Sequence, residues 1–238
     1  MKILIVNDDS IHAPGIALLA EAAAQFGDVW VVAPAKQCSA MSQQLTLRDP
    51  MQLKRAEEFP VTVQGAWQLE GTPVDCVKVA VSHLLEDKPD VVLSGVNNGY
   101  NVGFDIAYSA TLGAAFEAAR YGIPAIAFSA AGEAHLHVAR QYLPQILREL
   151  LAAPAEGGSV WNVNFPAARD GQIGGILRDR VPAPVSMYIE HYAATPLPDG
   201  ATELRTVGKP VSNDRIPAGT DAEAVRKGYI SVGKVKAF

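Results

Sequence analysis

Cysteine is almost missing from this chain: only Cys38 and Cys76 occur in 238 residues, with no paired spacing. That argues against a disulfide scaffold and against a thiolate zinc site, and it points to a reducing compartment. Long apolar runs are missing too, since none approaches the roughly 20 residues that cross a bilayer, so no membrane partner is expected. The opening MKILIVNDD turns acidic where a secretory leader would carry its small-residue cleavage site, which makes the cytoplasm the expected location. Basic residues are in deficit, 20 Lys+Arg against 25 Asp+Glu for a formal charge of −5. A generic surface for duplex nucleic acid or anionic lipid is therefore not expected. Neither GxxxxGK[ST] nor GxGxxG occurs, so the nucleoside-triphosphate and dinucleotide fingerprints are absent. The five histidines show no zinc spacing, and His12 reads as a surface-loop residue.

What is present is a globular composition, 49% apolar and 19% charged, in a length that suits one domain with an elaboration. Ile3, Leu4, Ile5 and Val6 form an unbroken apolar run, the mark of a strand buried on both faces of a parallel sheet. Pro14-Gly15 then opens a helical pattern through Ile16, Leu19, Ala23 and Phe26, with Gly27 as a stop. VWVVAP is a second strand, and residues 45–69, with Pro50 and Pro60, read as short strands or a hairpin. Thr72-Pro73-Val74-Asp75 has the chemistry of a helix start, with a capping hydroxyl, proline at the first helical position and an early acid. PDVVLSGVNNG repeats the opening pattern of a buried strand running into polar residues. A helix over YSATLGAAFEAARYG, a strand IPAIAFSA, a long helix from His137 to Leu151 with a bend at Pro144, and a strand VWNVNFP follow. This alternation predicts an α/β fold with a doubly wound, mainly parallel, Rossmann-like sheet and helices on both faces. From about residue 167 to 238 proline and glycine rise. That part is expected to be a β-rich C-terminal extension of hairpins and one short helix over TDAEAVRKG, suited to subunit contacts.

Three strand ends collect polar side chains. They are Asn7-Asp8-Asp9, Ser39 in the loop after the second strand, and Ser94-Gly95-Val96-Asn97. In open α/β sheets the carboxyl ends of the strands bind ligands. Two adjacent carboxylates repel unless a cation, a proton or a donor cluster holds them. Two carboxylates, a hydroxyl and an amide oxygen form a hard all-oxygen set that suits Mg²⁺, Mn²⁺ or Ca²⁺ and disfavours zinc. Neighbouring strand residues point to opposite faces, so Asp8 and Asp9 can share one ion only if the chain leaves strand geometry there. Each feature by itself has a plainer reading: a solvated Asp-Asp turn, an ordinary loop serine, an asparagine in a turn. In SGVNNGYNVGFDIAYSATLGAA, the glycines keep the backbone open and Ser109 and Thr111 stand at a helix start, where unpaired amides and hydroxyls make an anion site. By itself the glycine spacing equally describes a flexible loop before a capped helix.

MKILIVNDDS, VVAP with QCSA, GTPVDCV, SGVNNGYNVG, AYSATLGAA, WNVNFP and TDAEAVRKGYIS together resemble the SurE (stationary-phase survival protein) family over most of the chain. The resemblance is weakest at 45–69 and 170–213. It implies a single SurE-like phosphatase domain over 1–238. It also implies hydrolysis of nucleoside 5′- and 3′-monophosphates, in some members of short polyphosphate, with one divalent cation per subunit. By position the implied metal ligands are Asp8, Asp9, Ser39 and Asn97, with Asp8 and Asp9 catalytic. Beside such a cation, Asn7, Asn98, Gly99, Asn101, Gly103, Ser109 and Thr111, in the first strand end, the glycine loop and the helix start, are the expected phosphate and substrate contacts. A homodimer or homotetramer that exchanges C-terminal segments is implied as well. Where the family usually has YSGT, this chain has Tyr108-Ser109-Ala110-Thr111, and Ala110 would be strained if that position needs a positive φ. Two rivals remain: a receiver-like phosphoacceptor module and a catalytically silent nucleotide-binding protein. The first would need an acceptor aspartate at the third strand end and a lysine at a later one.

Overall fold

The computed structural model describes residues 1–168 and 172–237, so positions 169–171 and 238 of the expected extension lie outside the described residues. Its centre is β1 (Lys2–Val6), whose alternation sends Ile3 and Ile5 to one face and Leu4 and Val6 to the other, all with no exposed surface. On the first face pack α1 (Pro14–Ala23) and α4 (Leu136–Ala152), burying Ile16, Leu19, Leu143 and Leu147. On the second pack α2 (Pro73–Val79) and α3 (Ala110–Arg120), burying Cys76, Val77, Leu112 and Phe116. Because both faces are covered, apolar residues occupy every position from Ile3 to Val6.

The remaining strands of the main sheet are β2 (Asp28–Pro34), β3 (Leu53–Arg55), β4 (Gly65–Leu69), β5 (Val91–Asn98), β6 (Ala125–Ala130), β7 (Ser159–Phe165), β8 (Gly175–Leu177) and β11 (Tyr229–Lys236). Their order is β3-β4-β2-β1-β5-β6-β7-β11-β8. The six strands from β4 to β7 run parallel, while β3 pairs antiparallel to β4 and β11 antiparallel to β7, with β8 parallel to β11 at the edge. From β1 the chain winds outward through β2 and β4, and from β5 it winds the other way through β6 and β7. The reversal falls between β1 and β5, where Ile3 pairs with Val29 on one side and Val91 on the other. That is the position at which an open α/β sheet forms its ligand crevice.

Three expectations needed adjustment. The strand expected to stop before SGVN continues to Asn98, with a register shift against β6 between Ser94 and Asn97. Gly95 makes this shift, at a φ of +130° and with its Cα so close to the Phe128 carbonyl that no Cβ would fit. The helix begun by Pro73 gives way to a wider π turn over Ala80–Leu84 instead of continuing in α geometry. Part of the C-terminal region does not decorate the sheet but joins it: Ile230 and Val232 of β11 are buried against the first-face core, and α5 (Asp221–Arg226) leads into that strand. The β-rich extension proper is a separate hairpin, β9 (Tyr188–Pro196) with β10 (Thr202–Pro210), in which every residue is exposed.

The start of α2 is a full capping box. Thr72 Oγ1 accepts from the Asp75 amide at 3.2 Å and Asp75 Oδ2 accepts from the Thr72 amide at 2.9 Å. The same two side chains hold the loop after β2, since Thr72 Oγ1 donates to the Gln44 carbonyl at 2.7 Å and the Thr46 amide donates to Asp75 Oδ1 at 3.2 Å. Thr72→Ala removes a buried cap and a loop anchor together, and is expected to cost roughly 1–2 kcal/mol in urea or guanidinium unfolding at unchanged m-value.

Candidate active site

Val6 is the last residue of β1, and Asp8 and Asp9 lie in a bend beyond it, before Ser10 takes a φ of +94°. The departure from strand geometry required for the two carboxylates to face one region is therefore present. Asp8 is 4% exposed and Asp9 is half-buried. Asp8 Oδ1 accepts from the Thr111 hydroxyl at 2.7 Å, across from the first turn of α3. Asp9 Oδ2 accepts from the Asn98 amide at 2.8 Å, and its other oxygen from Gln37 Nε2 at 3.4 Å. The acids thus span the switch point, from β1 to β5, to α3 and to the loop after β2. Among the described residues neither carboxylate forms an ion pair with a basic side chain.

The loop carrying Ser39 is pinned at four points. The Cys38 amide donates to the Asp8 carbonyl at 2.7 Å, Ser42 donates through its amide to the Tyr108 carbonyl at 3.0 Å and through its hydroxyl to the Ala107 carbonyl at 2.8 Å, and the α2 cap holds Gln44. Gly113 on α3 packs directly under the Ser42 carbonyl, with no room for a Cβ. Ser39 sits exposed at the crest of this loop, one residue past the bond to Asp8. Asn97 donates its amide NH₂ to the Gly99 carbonyl at 2.7 Å, which leaves its Oδ1 as the free end of the side chain. Cys38 is buried, and desolvation together with the charges of Asp8 and Asp75 pushes its thiol pKa up, as expected of a cysteine that is not a nucleophile.

The glycine loop works differently from the expectation. The Gly99 amide donates to the Ala130 carbonyl at 2.9 Å, the Asn101 amide to Asn164 Oδ1 at 2.9 Å and the Gly103 amide to Asp221 Oδ2 at 3.0 Å. Those amides are spent within the protein and are not available to an anion. Asn101 is buried, and its Nδ2 reaches Ser129 Oγ at 2.8 Å and Thr111 Oγ1 at 3.3 Å. Asn7 is fully buried and donates to the Ser10 carbonyl at 2.7 Å, which shapes the Asp8–Ser10 bend, while its Oδ1 has no hydrogen-bond partner among the described residues. The Asn98 side chain is exposed, with Oδ1 accepting from the Glu133 amide at 3.2 Å.

The anion-binding capacity therefore concentrates at α3. Ser109 caps it by accepting from the Leu112 amide at 3.1 Å, which commits the oxygen and leaves the hydroxyl proton. The Ala110 and Thr111 amides, in the first turn, have no acceptor among the described residues. Ala110 is the first helical residue, fully buried and not among the residues with positive φ, so the departure from YSGT introduces no backbone strain.

Sequence reading missed Asn162 and Asn164 of β7. Both donate to the Asn101 carbonyl, at 2.8 and 3.1 Å, and so hold the segment that holds Thr111. The signal was legible in WNVNFP: two amides at i and i+2 on one face of an otherwise apolar strand need buried partners. Asp221 was also missed. It accepts from the Gly103, Ala183 and Ala222 amides, and burial outweighs those bonds to push its pKa up. A receiver-like module finds no acceptor at this rim, because β5 ends in Ser94, Asn97 and Asn98 and β7 has no lysine.

Fold and rim together define a doubly wound α/β protein with an acidic, oxygen-rich crevice at its switch point. The chain belongs to the SurE family: the family model described as Survival protein SurE matches residues 3–182. It is 36% identical over 232 residues to the 5′-nucleotidase SurE of Aeromonas hydrophila, covering 98% of this chain and 90% of that protein. It is 39% identical over 234 residues to the 5′/3′-nucleotidase SurE of Shigella dysenteriae, covering 98% and 88%. The crystal structure of the SurE protein from Aquifex aeolicus superposes with a TM-score of 0.83 at 33% identity, over 99% of this chain and 93% of that one.

Burial, reinforced by the charge of Asp9 and opposed by the Thr111 hydroxyl, pushes the Asp8 pKa up from 3.8 to about 7. The folded state then binds a proton more tightly than the unfolded chain, so cation-free stability falls as pH rises from about 4 to about 7 and levels off above. Asp8→Asn is expected to remove this part of the slope, raising the melting temperature of the EDTA-treated protein more at pH 8 than at pH 5 in a thermal melt.

Proposed function

We propose that this protein is a divalent-cation-dependent phosphomonoesterase acting on nucleoside 5′- and 3′-monophosphates, with short polyphosphate as a further substrate. The observation that carries the reading is the convergence at the switch point: Asp8 bonded to Thr111 at 2.7 Å and Asp9 bonded to the Asn98 amide at 2.8 Å, beside two free amides of α3. The names of its nucleotidase relatives support the substrate class.

The residues present fit a hard divalent cation. Asp8 is a carboxylate 4% exposed with no basic partner among the described residues, a costly arrangement unless positive charge is supplied. Asn97 has its NH₂ turned inward, leaving oxygen as its outer atom. Asp8, Asp9, Ser39 and Asn97 would hold Mg²⁺ or Mn²⁺, with Ca²⁺ as an occupant. When bound, the cation supplies Lewis-acid polarisation of the phosphoryl group and offsets its charge.

The chain's own groups do the rest. The Ala110 and Thr111 amides and the Ser109 hydroxyl proton bind the phosphoryl oxygens and stabilise the charge they gain in the transition state. Asp8, fixed by Thr111 and buried, serves as a ligand. Asp9, the more exposed acid, orients the attacking water and takes its proton. Asn101, held by Asn162 and Asn164, keeps Thr111 in register. The bare hairpin supports a homodimer or homotetramer: Tyr192 and Leu204 share one uncovered face, and a two-stranded sheet in water is marginal without a partner layer. No helix among the described residues is long and apolar enough to cross a membrane, and a cytoplasmic location remains part of this reading.

Phosphate release from AMP should require Mg²⁺ or Mn²⁺, stop with EDTA, and fall by at least about a thousandfold in Asp8→Asn and in Asp9→Asn. An unaltered rate in a folded variant sinks the assignment. Light scattering coupled to size exclusion should give a dimer or tetramer for the wild type and a smaller species for Leu204→Glu. A wild-type monomer would remove the hairpin from this role.

A further inference from the structure

Behind the glycine segment lies a third, smaller core, apart from the two that cover the faces of the main sheet: Val102, Ala183, Met187, Ala222 and Val225 are buried against one another. Val102 comes from the rim, Ala183 and Met187 from the chain leading into β9, and Ala222 and Val225 from α5. Beside Ala222 in the chain is Asp221, a carboxylate only 3% exposed that forms no ion pair among the described residues. One of its oxygens accepts from the Ala183 amide at 2.9 Å and the Ala222 amide at 2.7 Å, and the other from the Gly103 amide at 3.0 Å. Its own amide donates to the Val181 carbonyl at 2.9 Å. A buried carboxylate is costly unless donors hold it, and here they come from three separate segments. The hydrolytic reading gives this group no task.

The Gly103 amide is where that core meets the rim. Gly103 opens a six-residue 3₁₀ turn, Gly103–Tyr108, that runs directly into Ser109, the cap of α3. The start of the turn is clamped to the C-terminal segment. Gly103, at a φ of +60°, lies so close to the Val185 carbonyl that no Cβ would fit, the Phe104 amide donates to the same carbonyl at 3.1 Å, and the Met187 amide donates to Asp105 Oδ2 at 2.9 Å. The end of the turn carries the chemistry. Its Tyr108 and Ala107 carbonyls accept from Ser42 at 3.0 and 2.8 Å, which pins the loop of Ser39, and the Ser109 amide closes on the Ile106 carbonyl at 3.1 Å. So tight a turn leaves little slack, and a displacement at Gly103 is passed to the Ala110 and Thr111 amides.

We infer that Asp221 is a positioning residue for the reaction: by holding the Gly103 amide it sets the turn that aims the first turn of α3 at the phosphoryl group. The inference rests on the phosphomonoesterase reading for what α3 binds, but its exchange measurement does not. Asp221→Asn isolates the contact. A carboxamide has one oxygen, which serves the Ala183 and Ala222 amides, and its NH₂ then stands against the Gly103 amide, donor to donor. Ile216→Ala is the structural control, since Ile216 packs against the same small core and none of the Asp221 bonds runs through it.

Asp221→Asn should lower kcat for phosphate release from AMP by about tenfold or more while KM stays within about twofold, because donors displaced by a fraction of an ångström lose part of the roughly hundredfold that removing one costs. In hydrogen exchange followed by mass spectrometry, residues 103–109 and the segment around Ser42 should exchange faster than in the wild type, with β1 unchanged. Ile216→Ala should lower the melting temperature and leave both kcat and that exchange as they are. Should Asp221→Asn not fold, Asp105→Ala, which cuts the Met187 tie to the same turn, takes its place with the same expected split. If the wild type releases no phosphate but the exchange responds as stated, the hydrolytic reading falls and the placement of the turn stands. If AMP is hydrolysed and the variant of the turn keeps the wild-type kcat, or Ile216→Ala loses as much kcat, the role is overturned.

Discussion

A carboxylate buried at the end of the central strand is the constraint around which this molecule is organised. Taking an ionised group such as Asp8 out of water costs on the order of several kcal/mol unless other groups hold it. The Thr111 hydroxyl supplies one such interaction, and Asp9, next in the chain, adds repulsion. Folding therefore has to bring three further elements to the same rim: α3 to present Thr111, β5 to present the Asn98 amide to Asp9, and the loop after β2 to close over the Asp8 carbonyl. A site that is expensive to assemble and still electrostatically incomplete is one that a small cation would complete.

Supports around that centre are shared between structural and chemical tasks. The α2 capping box satisfies a helix terminus and also anchors the loop that exposes Ser39. The glycine-containing segment 97–103 spends its amides on Ala130, Asn164 and Asp221, so its contribution is rigidity: it fixes Thr111 through Asn101 on one side and walls a 520 Å³ cavity on the other. Asp221 extends this bracing to the C-terminal region, joining Gly103 to Ala183 and α5, and so links the rim to the base of the hairpin.

Much of this was legible in local sequence because local physics decides it. Apolar runs bounded by turns mark β1, β2, β5, β6 and β7, and the Thr-Pro-x-Asp start of α2 satisfies its own amides within one turn. The acids, Ser39 and Asn97 could be singled out only together, because all lie past the carboxyl ends of buried strands, where open α/β sheets bind ligands, while each by itself has a plainer reading. The partners of the glycine loop could not be read in this way. Whether the Gly103 amide is free or bonded depends on Asp221, 118 residues further along, and no local pattern carries that information. The place of β11 beside β7 was hidden for the same reason, since YISVGKV describes a strand but not its neighbour.

The sequence by itself determined the alternation of strands and helices, the two-faced burial of β1 and the kinds of atom available at the strand ends, since these follow from side-chain chemistry and period along the chain. Only the tertiary structure decided which of those atoms meet, which amides remain unpaired and where a cavity opens beside them. Hydrogen bonds between residues about a hundred positions apart are set by the winding of the sheet in opposite directions from β1 and β5, and that winding is a property of the packed layers, not of any one segment.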